Sequence, residues 1–354
     1  MRIGIPKEIK PLEGRVPLVP AAVADLVDMG MEVFIQSGAG QASGYTDSDY
    51  TAIGAGVLPD AGSVYSDSEL ILKVKEPVAP EYELLKPEHI LFSYLHLAAA
   101  PELAAVLQAR GLTAVAFETV EDRGHLPLLA PMSEIAGILA TQLGVTYLHS
   151  PQGGRGILLG GLPGTERGRV TVLGAGSAGG NAARVAAALG AEVTVFARSR
   201  ASHARMHALG SNVTALPPYR DLIRQTVTET DLLIGAVLVT GARAPVLVTR
   251  DMVKAMPRGS VIVDIAVDQG GCIETTRPTS YENPTYVEHG VIHFAVTNMP
   301  GAVPRTASQA LSSALLPYVK RLAQFGPEDA ALQSGINVQQ GKIVHAGVAQ
   351  ALQQ

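Results

Sequence analysis

The stretch Val170–Arg200, VTVLGAGSAGGNAARVAAALGAEVTVFARSR, restricts the fold of this chain more than any other. An apolar run, Val170–Leu173, enters a glycine-rich turn, Gly174-Ala175-Gly176-Ser177-Ala178-Gly179. Small and apolar residues with one arginine follow at helical spacing over Asn181–Leu189. Gly190 stops them, and a second apolar run fills Val193–Phe196. Strand, turn, helix and strand in that order make the βαβ unit that binds dinucleotides. Gly174 allows the sharp turn, Gly176 lets a pyrophosphate approach the backbone, and Gly179 lets helix and strand pack closely. The N–H groups that open the helix carry the positive end of its dipole and suit a phosphate. Gly174, Gly176, Ser177, Ala178 and Gly179 are therefore the candidate phosphate cradle. A bare G-x-G-x-x-G is a weak signal, and the rival reading is a glycine-rich turn without function. The flanking strands and helix favour the dinucleotide.

The far end of this unit bears on which dinucleotide. An NAD site usually has Asp or Glu about 20 residues after the glycines, bonded to the ribose 2′-OH. That position holds Ala197, followed by Arg198, Ser199 and Arg200. A carboxylate there would repel a 2′-phosphate, whereas an arginine fork and a hydroxyl would bind one. NADP(H) is the expected cofactor. NAD(H) remains possible if this is only a solvated basic loop.

At 354 residues the chain exceeds one comfortable core, so two domains are expected, residues 1–127 with 306–354 and residues 128–305. With 27 basic against 32 acidic side chains, the net charge of −5 argues against a nucleic-acid partner. The single cysteine, Cys272, excludes an intramolecular disulfide and fits a reducing cytoplasm. No signal peptide is visible at MRIGIP, no apolar run reaches the roughly 18 residues of a membrane span, and no metal site is expected.

Elsewhere, strands are expected at Arg2–Ile5, Glu32–Gln36, Leu70–Val74, Ile90–Ser93 and Thr113–Phe117, with helices at Ala21–Met29 and Pro101–Arg110. Ser133 is read as the N-cap of a long apolar helix to about Leu148. Strands at Asp231–Val237 and Ser260–Asp268, and helices at Thr249–Met256 and Ser308–Ala323, continue the pattern. The tail is expected as helix and turn, folding back onto the first domain. The fold class is α/β, with two Rossmann-like, doubly wound parallel-sheet domains flanking a substrate cleft.

Four polar residues are singled out by position: Arg15 in the first loop, Lys75 and His96 after strands of the first domain, and Asp268 at a strand end of the second. Each alone has an ordinary reading, as a solvated charge or a structural histidine. Together, at strand ends, they could converge on one small molecule.

Eight blocks resemble alanine dehydrogenase, in order from Met1 to about Tyr318. They are MRIGIPKEIKPLEGRVPLVP, LKVKEP (Leu72–Pro77), LHLAA (Leu95–Ala99), LLAPMSEIAG (Leu128–Gly137), QGGRGILLGG (Gln152–Gly161), GAVLVTGARAP (Gly235–Pro245), VDIAVDQGGC (Val263–Cys272) and TNMPGAVPRTA (Thr297–Ala307). The resemblance implies reversible oxidative deamination of L-alanine to pyruvate and ammonium, with hydride passing to a nicotinamide. It implies that Arg15 grips the substrate carboxylate in two bonds and that Lys75 holds the substrate's carboxylate or carbonyl oxygen. It implies that His96 is the acid–base group and that Asp268 steadies the cationic iminium. Ser133, Val237, Leu238 and Asn298 would line the nicotinamide, and a homo-oligomer, commonly a hexamer, is implied as well. The chain departs from the family at Ala197, where the usual ribose-binding aspartate is missing, and at Pro17, often alanine. Rival readings are a dehydrogenase acting on another amino acid or imine, and the nucleotide-binding component of a transhydrogenase. The latter needs neither Lys75 nor His96 and would keep an acid at the ribose.

Overall fold

A computed structural model describes residues 1–238 and 244–353. The middle of the GAVLVTGARAP block, residues 239–243, lies outside the described residues, as does the terminal Gln354 of the expected first domain. The chain divides into two compact units, one of Met1–Met132 with Pro300–Gln354 and the other of Ser133–Met299. Both are α/β with a largely parallel sheet, the fold class expected.

In the first unit eight strands lie in the order Lys342–Ile343, Ile336–Gln339, Thr113–Ala116, Ile90–Ser93, Leu70–Leu72, Arg2–Ile5, Glu32–Gln36 and Gly56–Leu58. From Arg2–Ile5 the chain winds outward to Glu32–Gln36 and Gly56–Leu58, then returns to the other side at Leu70–Leu72. The winding therefore reverses between Arg2–Ile5 and Leu70–Leu72. The central strands are apolar over most of their length, and Ile3, Ile5, Leu70, Ile71, Leu72, Leu91 and Phe92 are buried. Continuous apolar runs are what a parallel sheet covered on both faces demands.

The second unit has seven strands, ordered Thr285–Glu288, Val291–Phe294, Val261–Asp264, Leu232–Gly235, Arg169–Leu173, Glu192–Phe196 and Val213–Leu216. Its winding reverses between Arg169–Leu173 and Leu232–Gly235. Thr285–Glu288 alone among these strands runs antiparallel to its neighbour.

Three expectations are corrected. The long helix is Ala130–Leu148, so Ser133 is its fourth residue and not its N-cap. The N–H groups of Leu129 and Ala130 both donate to the Leu126 carbonyl, turning the chain into the helix earlier, and Pro131 suits a first turn. The strand expected over Ser260–Asp268 ends at Asp264. Its carboxylate accepts from the Ala266 N–H (3.1 Å), and Ile265–Gln269 becomes a 3-10 turn. The tail is more than helix and turn. It joins the first unit as Ile336–Gln339, antiparallel to Thr113–Ala116, with Lys342–Ile343 as the return strand. Ile336 and Val338 are buried there, and Gln340-Gly341 make the turn with φ of 49° and 74°. Positive φ at both central residues is the twist-matched geometry for a two-residue hairpin.

Candidate active site

Arg15, Lys75 and His96 all follow the carboxyl ends of parallel strands in the first unit. Arg15 is in the loop after Arg2–Ile5, Lys75 is three residues past Leu70–Leu72, and His96 is three past Ile90–Ser93. In open α/β sheets the crevice at the carboxyl ends, where the winding reverses, is where ligands bind.

Arg15 is only 2% exposed. Its Nε donates to Glu13 Oε1 (2.7 Å) and its Nη2 to Glu13 Oε2 (2.5 Å), and Nη1 donates to Met132 Sδ (3.1 Å). Burial works against the guanidinium's charge, but Glu13 outweighs it and holds the group above its ordinary range. The two-bond grip is thus seen with Glu13, on the Nε–Nη2 edge of the fork. Lys75 is half-buried, and its N–H donates to Glu8 Oε1 (3.3 Å).

His96 is held through its backbone, in left-handed conformation at φ 49°. Its N–H donates to Glu118 Oε1 (2.6 Å), and the Leu95 N–H donates to Glu118 Oε2 (3.2 Å). The imidazole is half exposed, with Nδ1 3.8 Å from Glu118 Oε1. Its ring lies parallel to Tyr94, 5.9 Å between centroids. Tyr94 is in turn fixed by donation from its hydroxyl to the Leu128 carbonyl (2.6 Å).

In the second unit the glycine turn falls where the winding reverses. Gly174 has φ +103°, and a Cβ there would stand 2.5 Å from the Ala236 carbonyl oxygen. Gly179 is closed off more tightly, since a Cβ would land on the Gly174 carbonyl. Gly176 differs: a Cβ would meet nothing within 4 Å. It immediately precedes the twelve-residue helix Ser177–Ala188, so open space stands over that helix's amino end. These residues fit a dinucleotide, with Gly176, Ser177 and Ala178 placed to hold its phosphates. Gly137 of the helix Ala130–Leu148 lies against Ala178, where a Cβ would strike the backbone. Ser133 is four residues before it, on the same helix face. Val237 and Leu238 follow strand Leu232–Gly235, next to the Gly174 turn, and Asn298 follows Val291–Phe294 at φ 58°.

The loop after Glu192–Phe196 is built as a helix start. Ala197 is buried and its carbonyl accepts from His203 Nε2 (2.7 Å). Ser199 caps the helix Arg200–His207 by accepting from the Ser202 N–H (3.1 Å). Arg198 and Arg200 are exposed, and Arg205 reaches back to donate to the Ala175 carbonyl of the glycine turn.

Asp268 is exposed within the 3-10 turn Ile265–Gln269. The turn is fastened behind it by Asp264, which is fully buried. Asp264 accepts from the N–H groups of Ala266 (3.1 Å) and Cys272 (3.0 Å) and from the Thr276 hydroxyl (2.8 Å). Burial pushes the Asp264 carboxyl up, and the hydrogen bonds oppose it.

Each of the four polar candidates is therefore backed by a carboxylate that the sequence reading passed over: Glu13 for Arg15, Glu8 for Lys75, Glu118 for His96 and Asp264 for Asp268. Spacing hinted at two of them, Glu13 two residues before Arg15 and Asp264 four before Asp268. Glu8 and Glu118 become visible only once the strands are aligned. Among the described residues, no group of three or more His, Cys, Asp or Glu could hold a metal ion, and no helix is long and apolar enough to cross a membrane.

Comparison with known proteins agrees along the whole chain. Family models described as alanine dehydrogenase/PNT match here, the N-terminal domain over residues 4–136 and the C-terminal domain over residues 140–346. Alanine dehydrogenase of Bacillus subtilis is 46% identical over 359 aligned residues, covering 99% of this chain and 95% of that protein. A solved L-alanine dehydrogenase superposes with a TM-score of 0.96 at 50% identity, covering 100% of this chain and 99% of that one. A transhydrogenase from Sinorhizobium meliloti superposes at 0.87 with 25% identity, covering 97% and 100%. This chain belongs to the alanine dehydrogenase/PNT family.

Proposed function

We propose that this chain is an alanine dehydrogenase that interconverts L-alanine with pyruvate and ammonium. The observation that carries the reading is full-length identity of 46% to an alanine dehydrogenase, in a chain that has Arg15, Lys75 and His96 past strand ends and Asp268 in an exposed turn. In the deaminating direction, alanine, water and oxidised nicotinamide give pyruvate, ammonium, reduced nicotinamide and a proton. When bound, the nicotinamide supplies the hydride acceptor. Arg15, kept charged by Glu13, and Lys75 hold the substrate's carboxylate and the oxygen that becomes the carbonyl. The His96 imidazole moves the protons that water addition and ammonia loss require. The Asp268 carboxylate faces the cationic iminium and orients the attacking water. Ser133, Val237, Leu238 and Asn298 line the nicotinamide.

The cofactor we propose is NADP(H), with NAD(H) as a poorer alternative. Ala197 removes the carboxylate that would repel a 2′-phosphate, and the exposed Arg198 and Arg200 stand beside it. Ser199 already caps a helix and donates its hydroxyl to Ser202 Oγ (2.9 Å), so it shares in phosphate binding by turning that O–H to the phosphate instead. The Arg198→Ala variant is expected to raise KM for NADPH by about 10-fold or more, the value of one charge-assisted hydrogen bond. KM for NADH should stay within about twofold, because the 2′-OH offers no charge to that guanidinium. Equal losses with both cofactors would remove Arg198 from the phosphate site.

Pyruvate with ammonium, assayed by loss of reduced-nicotinamide absorbance with NADPH and NADH in parallel, tests both proposals. Turnover with NADPH preferred supports them; turnover with NADH preferred keeps the reaction and rejects the phosphate loop. Absence of turnover with either, against glycine, serine and 2-oxobutyrate controls, would overturn the alanine reading. We further propose a cytoplasmic homo-oligomer, a hexamer by kinship, which sedimentation can check.

A further inference from the structure

The winding of the first unit reverses between strands Arg2–Ile5 and Leu70–Leu72, and the segments leaving both strands are joined by one carboxylate. Glu8, in the loop that continues to Arg15, is 8% exposed. Its Oε1 accepts from the Val74 N–H (2.7 Å) and the Lys75 N–H (3.3 Å). Its Oε2 accepts from the ammonium of Lys73 (3.2 Å), which is fully buried and also pairs with Glu81 (2.8 Å). A second tie spans the same two segments on the half-exposed side, an ion pair between Lys10 and Glu76. The loop that carries Arg15 is thus bound to the strand end that carries Lys75 on either side of Lys75.

This arrangement is an expensive way to gain stability alone. Two carboxylates, Glu8 and Glu81, share one ammonium in a site closed to water, and burial pushes the Glu8 carboxyl up. A buried ion pair repays its desolvation only when geometry and further hydrogen bonds are good, and apolar residues of like size would often serve as well. What apolar residues could not do is accept two adjacent backbone N–H groups at the end of a strand. Glu8 meets both groups from the neighbouring loop, where the strand has stopped.

We propose that Glu8 is a positioning residue for substrate binding, fixing the spacing between the Arg15 loop and Lys75 so that both reach one small carboxylate. This rests on the reading of Arg15 and Lys75 as substrate-binding residues. It predicts a loss confined to the substrate side, because the nucleotide-binding residues belong to the other unit.

The experiment compares Glu8→Ala, Glu8→Gln and wild type in the full-length protein. KM and kcat for pyruvate and L-alanine are measured, together with the dissociation constant of the reduced nicotinamide and the thermal midpoint. Glu8→Ala should raise KM for both substrates about 10-fold or more, since a misplacement near 1 Å is felt at that scale, with cofactor affinity within about twofold. Glu8→Gln keeps an acceptor oxygen for the two N–H groups and should recover KM to within about threefold of wild type. A lower thermal midpoint with KM unmoved, or glutamine no better than alanine, would overturn the proposal. If Glu8→Ala does not fold, Lys10→Ala cuts the second tie at the surface and should raise KM in the same direction. An unmoved KM in that variant would overturn the proposal as well. Arg15→Lys and Lys75→Ala in the same assay separate the two readings. Unchanged KM in these would sink the substrate site itself, whereas large losses here with none at Glu8 would sink only the positioning role.

Discussion

Replacing His96 with asparagine is expected to lower kcat by about 10²–10⁴-fold, the usual span for a lost acid–base group, with nicotinamide affinity nearly unchanged. Asparagine is the cleaner probe because the residue sits at φ 49°, a conformation that asparagine tolerates better than alanine. The two bonds from Glu118 go to the N–H groups of Leu95 and His96 and do not depend on the imidazole. The turn should therefore survive the substitution. Tyr94, whose ring the imidazole overlies, is held separately through its hydroxyl to Leu128. Single-turnover measurement with reduced nicotinamide, pyruvate and ammonium checks the prediction, and near wild-type turnover would remove His96 from the chemistry. Lys75→Ala should be comparably inactive, with the additional signature of a raised KM for pyruvate.

The second large effect contrasts two glycines of the phosphate turn. In Gly176→Ala the added methyl meets no protein atom within 4 Å, and the backbone, at φ −73°, is one any residue adopts. The fold should be untouched. The methyl instead occupies space a diphosphate would use, so the dissociation constant for the dinucleotide should rise about 10–100-fold, the equivalent of one charged hydrogen bond. In Gly179→Ala the methyl meets backbone, the carbonyl of Gly174, which cannot step aside as a side chain tip would. Stability should fall by about 1–3 kcal/mol, read as a lower thermal midpoint before any nucleotide is added. A Gly176 variant that binds as tightly as wild type would mean that no phosphate passes over that residue.

The sheet cores and the glycine turn were legible because their patterns are local. A strand buried on both faces is an apolar run, and a G-x-G-x-x-G between two such runs reports its own geometry. The two hairpins were legible in principle. Gln340-Gly341 and His289-Gly290 both take positive φ between two strands, yet neither dipeptide is among the commonest turn formers. The helix start at Ala130 is not legible because Ser133 is a good capping residue, whereas the upstream turn is formed by backbone bonds to Leu126 that no side chain announces. IVDIAVD is apolar enough to read as a strand that runs on to Asp268. The side chain of Asp264, by bonding back to the Ala266 N–H, breaks it. Arg15, Lys75, His96 and Asp268 could be named from the chain, but their backing carboxylates could not. Glu8 and Lys75 are far apart in sequence and meet only where two parallel strands end side by side.

The fastening of Cys272 beneath the Asp268 turn has a practical consequence. This thiol, the only one in the chain, is fully buried, and its Sγ lies 3.6 Å from Asp264 Oδ1. Burial first, and then the neighbouring carboxylate, pushes its pKa well above the ordinary range, so the thiolate that oxidants and alkylating reagents need is suppressed in the closed turn. A reagent reaches the sulfur only when the packing around it opens. The chain therefore carries one built-in chemical clock, whose labelling rate counts the openings of the core around Asp264 and Cys272 without any engineered probe.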